Sequence, residues 1–222
     1  MIIIGESFLR LNYSEFLFKK IKKFLKENNK LSEEWNALNI LSCDAASVGN
    51  FDLGVYKKTN TLLNDLKLNK FDIVYLVGQD NLCFDKKNEF VIYQGSHGDK
   101  GAEIADIILP GSAYTEQDGH YTNLEGKVQK AYKASYPPGE AKEDWQIINE
   151  LAEMMNNRKL FNDKDEIESS MFNYLNLKKE KQKSSQISKQ KQDSFENEVL
   201  KITTKEYYFS NVIARSSKTM LD

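Results

Sequence analysis

The sequence predicts an α/β protein: a Rossmann-like parallel sheet with covering helices, followed by a hairpin and a C-terminal extension. Three observations lead there. Short runs that are apolar almost throughout, such as 71–78 and 90–95, alternate with stretches of helical period. Strands apolar on both faces belong in parallel sheets enclosed by helices. Gly5, Gly78 and Gly95 each close such a run, and the carboxyl ends of strands are where α/β proteins tend to bind ligands. Finally, 40% of the 222 residues are hydrophobic, including twelve Phe and eleven Tyr, enough for a substantial core.

Met1 to Gly5 reads as a buried strand. Ser14 to Lys26 reads as a helix with Ser14 at its N-cap, burying Phe16, Leu17, Ile21, Phe24 and Leu25 and exposing five lysines. Leu38–Leu41 is a short strand. A polar, Gly-punctuated stretch through Gly49 and Gly54 leads to a helix around Thr59–Leu68. Strands follow at Phe71–Gly78, Phe90–Gly95 and Ala105–Pro110. Gly111 to Gln129 has the Gly, Thr and Asn content of a turn and hairpin, and Tyr136-Pro137-Pro138-Gly139 is an extended break. Glu140 to Asn156 returns to helix, with Trp145, Ile148, Leu151, Ala152 and Met155 on one stripe and Glu140, Glu143 and Asp144 in the first turn.

The division expected is an α/β body over 1–157, a flexible, basic linker or exposed loop over 158–199, and a C-terminal docking segment over 200–222. The linker rests on Lys178–Lys191, six lysines against one glutamate with Ile187 as the sole hydrophobe. Such a segment buries too little apolar surface to offset its chain entropy.

Composition excludes several functions. A net charge of −2 argues against coating nucleic acid, which requires a strongly basic face. No apolar run approaches the roughly 18–20 residues of a membrane span. Cys43 and Cys83 with two histidines make neither a four-thiolate cluster nor a standard zinc site. They read as two buried free thiols, a single bridge between them being the other arrangement. The start at a strand, without a leader pattern, suits a chain made where it works or one whose leader has been removed.

Candidate chemistry is sparse. No G-x-S-x-G elbow accompanies the histidines. The Gly95–Gly101 segment carries three glycines and suits either a tight loop or an anion cradle, but matches neither phosphate-loop pattern. His97, Asp99, Glu103 and Asp106 are candidate metal ligands only on paper, since their spacing follows no known loop or helical pair. No catalytic, cofactor-binding or metal residue is assigned.

The run from Val91 to Trp145 adds a resemblance. Tyr93-Gln94-Gly95, His97, Gly98-Asp99, Gly101-Ala102, Ile104-Ala105-Asp106, Ile108-Leu109-Pro110-Gly111 and Ala113-Tyr114-Thr115-Glu116 occur in order. Tyr121, Asn123, Glu125-Gly126 and Gln129 follow, then Pro137-Pro138-Gly139, Ala141, Glu143-Asp144-Trp145 and Ile147. Together with the opening Ile3–Arg10 and the closing Ile202–Ser217, they resemble the C-terminal molybdopterin-oxidoreductase-like domain of the 75 kDa, or G-type, iron–sulfur subunit of respiratory complex I.

That resemblance implies a split subunit: a non-catalytic structural piece of the matrix-side peripheral arm at the mitochondrial inner membrane. It implies no cofactor here, and no intrinsic activity beyond membership of the NADH:ubiquinone reductase assembly. The partners implied are other peripheral-arm subunits, above all the chain carrying the cluster-binding N-terminal part. The alternative is a fragment of a catalytic molybdopterin oxidoreductase, formate dehydrogenase-like, with its cofactor against the Gly95–Gly101 loop and the Tyr121–Gln129 hairpin.

Overall fold

A computed structural model of the chain describes residues 1–11, 13–32, 35–42, 44–55, 62–82, 84–182 and 208–221. The strands are β1 (Ile2–Gly5), β2 (Leu38–Leu41), β3 (Ile73–Val77), β4 (Phe90–Gly95), β5 (Ile107–Pro110), β6 (Gly119–Thr122) and β7 (Val128–Ala131). The helices are α1 (Ser14–Glu27), α2 (Ser47–Leu53), α3 (Leu62–Lys67), α4 (Lys100–Glu103), α5 (Asp144–Asn156), α6 (Lys164–Gln182), α7 (Val212–Ser216) and α8 (Lys218–Leu221). The α/β class read from the sequence holds, with parallel pairing in two sheets. Among the described residues no helix is long and apolar enough to cross a membrane. Cys43, Cys83, residues 59–61, and residues 183–207, which include most of the Lys-rich run, lie outside the described residues.

The chain forms two compact units whose segments interleave. The first comprises 1–56, 120–129 and 170–204. Here β1 and β2 pair in parallel, Ile2 opposite Leu38 and Gly5 opposite Leu41. Their core is Ile4, Leu25, Ala37 and Leu38, with Ile2, Phe8, Phe18, Ile21 and Leu31 packed against it. Phe18, Ile21 and Leu25 are spaced three and four apart and so share one face of α1. Phe24 lies one residue, hence about 100°, from Leu25 and is 57% exposed, contrary to the expected face. Ser14 also departs from expectation. It is the first helical residue rather than the cap, and its backbone N–H donates to the Leu11 carbonyl at 3.0 Å. The tip of the β6–β7 hairpin turns on Asn123, whose Oδ1 accepts from the Glu125 and Lys127 N–H groups, and on Gly126 at φ +80°.

The second unit comprises 57–119, 130–169 and 205–222. It holds the three-stranded sheet β3–β4–β5, parallel throughout, with Ile73 opposite Phe90 and Ile92 opposite Ile107. Leu76, Val91 and Tyr93 form its core, packed by Val74, Leu82, Phe84, Ala102, Ile104 and Ala105. β5 starts two residues later than predicted, because Ala105 packs into that core and Asp106 Oδ2 accepts the Val91 N–H at 2.8 Å. Helix α5 starts at Asp144 rather than Glu140. The double proline, a turn at Gly139–Glu140 with Gly139 at φ +58°, and a bridge between Gly111 and Lys142 keep the preceding chain out of the helix. Glu143 then caps the helix, its carboxylate accepting the Gln146 N–H while the Gln146 side chain accepts the Glu143 N–H.

Two further departures concern faces and extent. On α5 the buried residues are Ile147 and Asn149, while Ile148 and Met155 of the expected stripe are exposed. Within the predicted 158–199 linker, residues 164–182 are helix α6. Asp163 starts it by accepting the Glu166 N–H at 2.8 Å. Ile167, Met171, Phe172, Tyr174, Leu175 and Leu177 are spread around the helix rather than along one stripe, so no amphipathic period advertises it.

Candidate functional site

The carboxyl edge of the β3–β4–β5 sheet collects the polar chemistry of the second unit. Tyr93 and Gln94, consecutive in the central strand, are 1% and 0% exposed. Successive residues of a strand point to opposite faces, so each anchors a separate network.

On one face, Gln94 Nε2 donates to Asp144 Oδ1 at 2.7 Å, and Gln94 Oε1 accepts the Tyr75 hydroxyl. Gln117 donates to Asp144 Oδ2 at 3.0 Å, and the Asp144 N–H donates back to Gln117 Oε1 at 3.3 Å. Asp144 thus sits at the first position of α5 on side-chain amides, near the positive end of the helix. Burial first, and the nearby Asp144 charge second, push the Tyr75 phenol up from its ordinary value. Gly111 approaches closely here: a Cβ on it would stand 3.1 Å from Asp144 Oδ1.

On the other face, the Tyr93 hydroxyl lies 2.8 Å from Asp80 Oδ1 and 2.9 Å from the His97 carbonyl oxygen. Burial, and then the bond to Asp80, push the Tyr93 phenol far above its ordinary range. Asp99 caps α4 through the Lys100 N–H at 2.8 Å and receives Arg215 Nε, also at 2.8 Å. Arg215 Nη2 stands 3.8 Å from Asp80 Oδ2. Burial of Asp99 opposes ionisation, but the Lys100 N–H and Arg215 outweigh it and hold the carboxyl below its usual value.

A second charged centre ties α5 to its surroundings. Glu143, 6% exposed, binds Lys164, Lys133 at 3.2 Å and the Trp145 indole N–H at 3.1 Å. Lys164 also reaches Asp118 at 3.0 Å. Burial would raise the Glu143 carboxyl, but the hydrogen bonds from Lys164 and Lys133 bring it below its usual value. A cleft of about 510 Å³ beside β5 is lined by Leu109, Pro110, Glu140, Lys142, Ile147 and Glu150. Lys142 and Glu150 in it are bonded to each other at 2.6 Å.

The paper metal ligands do not converge. Asp99 faces Arg215, Asp106 pairs with Lys86 at 2.6 Å by the opposite end of β4, Glu103 is exposed, and His97 Nδ1 lies 2.9 Å from Ser96 Oγ. Among the described residues no three His, Cys, Asp or Glu are placed to hold a metal. Sequence reading missed Asp80, Gln94, Gln117, Asp144 and Arg215 as a group. Gln94, Asp144 and Arg215 lie within the resembling runs, but nothing in their spacing tells that they meet at one sheet edge.

A family model described as molybdopterin oxidoreductase matches residues 1–154. The chain belongs to that family. A second model, described as the C-terminal part of the G-type subunit of NADH-ubiquinone oxidoreductase, matches residues 166–220. The chain is 39% identical over 236 residues to the mitochondrial NADH-ubiquinone oxidoreductase 78 kDa subunit of Candida albicans. It is 36% identical to the NADH-ubiquinone oxidoreductase 75 kDa subunit of Reclinomonas americana and 39% identical to the G-type subunit of NADH-quinone oxidoreductase of Rickettsia bellii. Each alignment covers 99% of this chain but 32%, 33% and 32% of the respective relative. The chain therefore spans about a third of their length, and the resemblance read from Val91–Trp145 extends over nearly all of it.

The family name raises the question of a pterin cofactor, whose phosphate is anionic. The edge does not fit one. Asp80 and Asp99 turn negative charge to the strand ends, and the guanidinium that would complement a phosphate is already bonded to them. No reaction step is assigned to such a group.

Proposed function

We propose that this chain is a non-catalytic structural part of the matrix-side peripheral arm of mitochondrial respiratory complex I. In this reading the clusters that carry electrons from NADH to ubiquinone lie in neighbouring chains, and this chain supports and positions them without activity of its own. Its principal partner is the chain bearing the cluster-binding N-terminal part of the same subunit, and its place is the matrix side of the inner membrane. Residues 1–157 act as the body and 200–222 as a docking segment.

The observation that carries the reading is a sheet face that Asp144 and Gln117 cover only at its carboxyl end, around Gln94. By register Ile73, Phe90 and Ile107 lie on one side of β3–β4–β5, with Val77 further along. They are 63%, 42%, 46% and 47% exposed. A parallel sheet is normally covered on both faces, and a contiguous apolar surface of this kind marks an interface. The two-thirds of the relatives that this chain does not span are the natural cover.

The test is a native-gel separation of detergent-solubilised mitochondrial membranes, with mass spectrometry for this chain and metal analysis of its band. Co-migration with NADH-dehydrogenase activity and iron, without molybdenum, supports the reading. A small soluble band that carries molybdenum away from that activity replaces it with the catalytic alternative.

A further inference from the structure

We propose that Asp80 and Asp99 form a guanidinium socket at the carboxyl edge of the β3–β4–β5 sheet. The C-terminal segment Tyr208–Leu221 docks there through Arg215, where other α/β proteins hold a dissociable ligand. This goes beyond the assembly role and does not depend on it.

The socket is organised before the arginine enters. Asp80 follows β3, and its carboxylate is fixed by the buried Tyr93 hydroxyl. The Asp80 carbonyl accepts the Gly101 N–H at 2.7 Å, which stitches the loop after β3 to the first turn of α4. Only glycine allows that approach, since a Cβ on Gly101 would lie 2.7 Å from the Gln79 carbonyl oxygen. Asp99 is fixed by capping α4 with one oxygen, leaving the other for Arg215.

Arg215 matches this arrangement as a planar fork. Nε donates to Asp99, Nη2 faces Asp80, and Nη1 donates to the Phe209 carbonyl at 3.1 Å. One guanidinium thus fastens the segment to the sheet and folds the segment back on itself, while Asn211 caps α7 through the Ala214 N–H at 3.0 Å. A lysine has no such fork and can satisfy at most part of this set. The three side chains are 17–22% exposed, so the contact is partly desolvated.

The test is amide hydrogen exchange followed by mass spectrometry on the full chain, with whatever partners co-purify with it. R215A, R215K, D99N and the R215A/D99N pair are compared, and a synthetic peptide of residues 208–221 is added in trans with Arg215 or with citrulline in its place. The expected result for R215A and for D99N is faster exchange in both 209–216 and 96–102, by about tenfold, the size of one lost charge-assisted bond. R215K is expected to recover only part of the protection, and the double variant to be no worse than either single one. The arginine peptide should restore protection of 96–102 in R215A, and the citrulline peptide should not.

Exchange within twofold of wild type in both R215A and D99N overturns the socket. So does full protection in R215K, additive loss in the double variant, or equal rescue by the two peptides. D99N keeps the side-chain shape, so it remains informative should R215A fail to accumulate.

Discussion

Replacement of Glu143 is the sharpest probe of how the start of α5 is held. Its carboxylate is nearly buried, yet its partners Lys133 and Lys164 have side chains 30% and 32% exposed. A hydrogen bond to a charged group contributes roughly 1.5–3 kcal/mol. The partial exposure of both lysines, and the Asp118 contact that Lys164 keeps, reduce the loss. Loss of the cap adds roughly 1 kcal/mol. Glu143→Ala should therefore cost about 2–4 kcal/mol locally, and Glu143→Gln, which keeps an acceptor for Gln146 and Trp145, about 1–2 kcal/mol. Since each 1.4 kcal/mol is about a factor of ten, exchange of the amides at 146–149 should quicken by about thirtyfold or more in Glu143→Ala.

Acid gives the matching control. The folded-state pKa of Glu143 lies below the unfolded one, so its contribution is complete above the unfolded value of about 4.3. It is lost as pH falls through the folded value. Wild-type protection at 146–149 should weaken in that acid window, and Glu143→Gln should show less of this loss. Exchange in Glu143→Ala within threefold of wild type at pH 7, or the same acid dependence in Glu143→Gln, would refute the role given to this carboxylate.

Three other outcomes follow from the contacts described. Gly101→Ala should destabilise the second unit by about 1–3 kcal/mol through overpacking against the Gln79 carbonyl. Gly98→Ala, with nothing within 4 Å of its Cβ, should stay within about 0.5 kcal/mol; a chemical-denaturation series on the assembly compares the two. Asn149→Ala removes the side chain that bonds the Leu160 and Phe161 N–H groups and the Phe161 carbonyl. It should cost about 1–3 kcal/mol, seen as selective proteolysis near 158–163. The Asp99 carboxyl is held below its ordinary value, so its bond to Arg215 should persist at neutral pH and weaken only in acid, as pH falls through the folded value. The protection factor at 96–102, exchange relative to the intrinsic rate at each pH, checks that, with Asp99→Asn flat across the same range.

How much is legible depends on the range of the interaction. β2 and β4 coincide with their predicted bounds because a short apolar run between polar breaks is a local signal. The start of α5 is harder to place because glutamate is not a usual cap. What holds residues 141–143 out of the helix is a bridge from Lys142 back to Gly111, thirty-one positions away. Helix α6 escapes notice because its apolar residues circle the axis. The carboxyl-edge networks are the least legible part. Asp99 and Arg215 are 116 positions apart, and only the topology that places β4 between β3 and β5 brings Tyr93 and Gln94 between their respective partners.

The order β3–β4–β5 also has a kinetic consequence. Among the described residues β5 has a paired strand on one side only, and Ile107 and Ile108 on it are 46% and 55% exposed. Pro110 at its end lacks an N–H and limits further ladder growth there, but the two isoleucines offer a free backbone rim to another copy. Self-pairing is second order in this chain, whereas capture by the proposed partner is first order in this chain and first order in that partner. Stoichiometry then decides the fate of the chain: made in excess it should be lost to aggregates, and made alongside sufficient partner it should be retained.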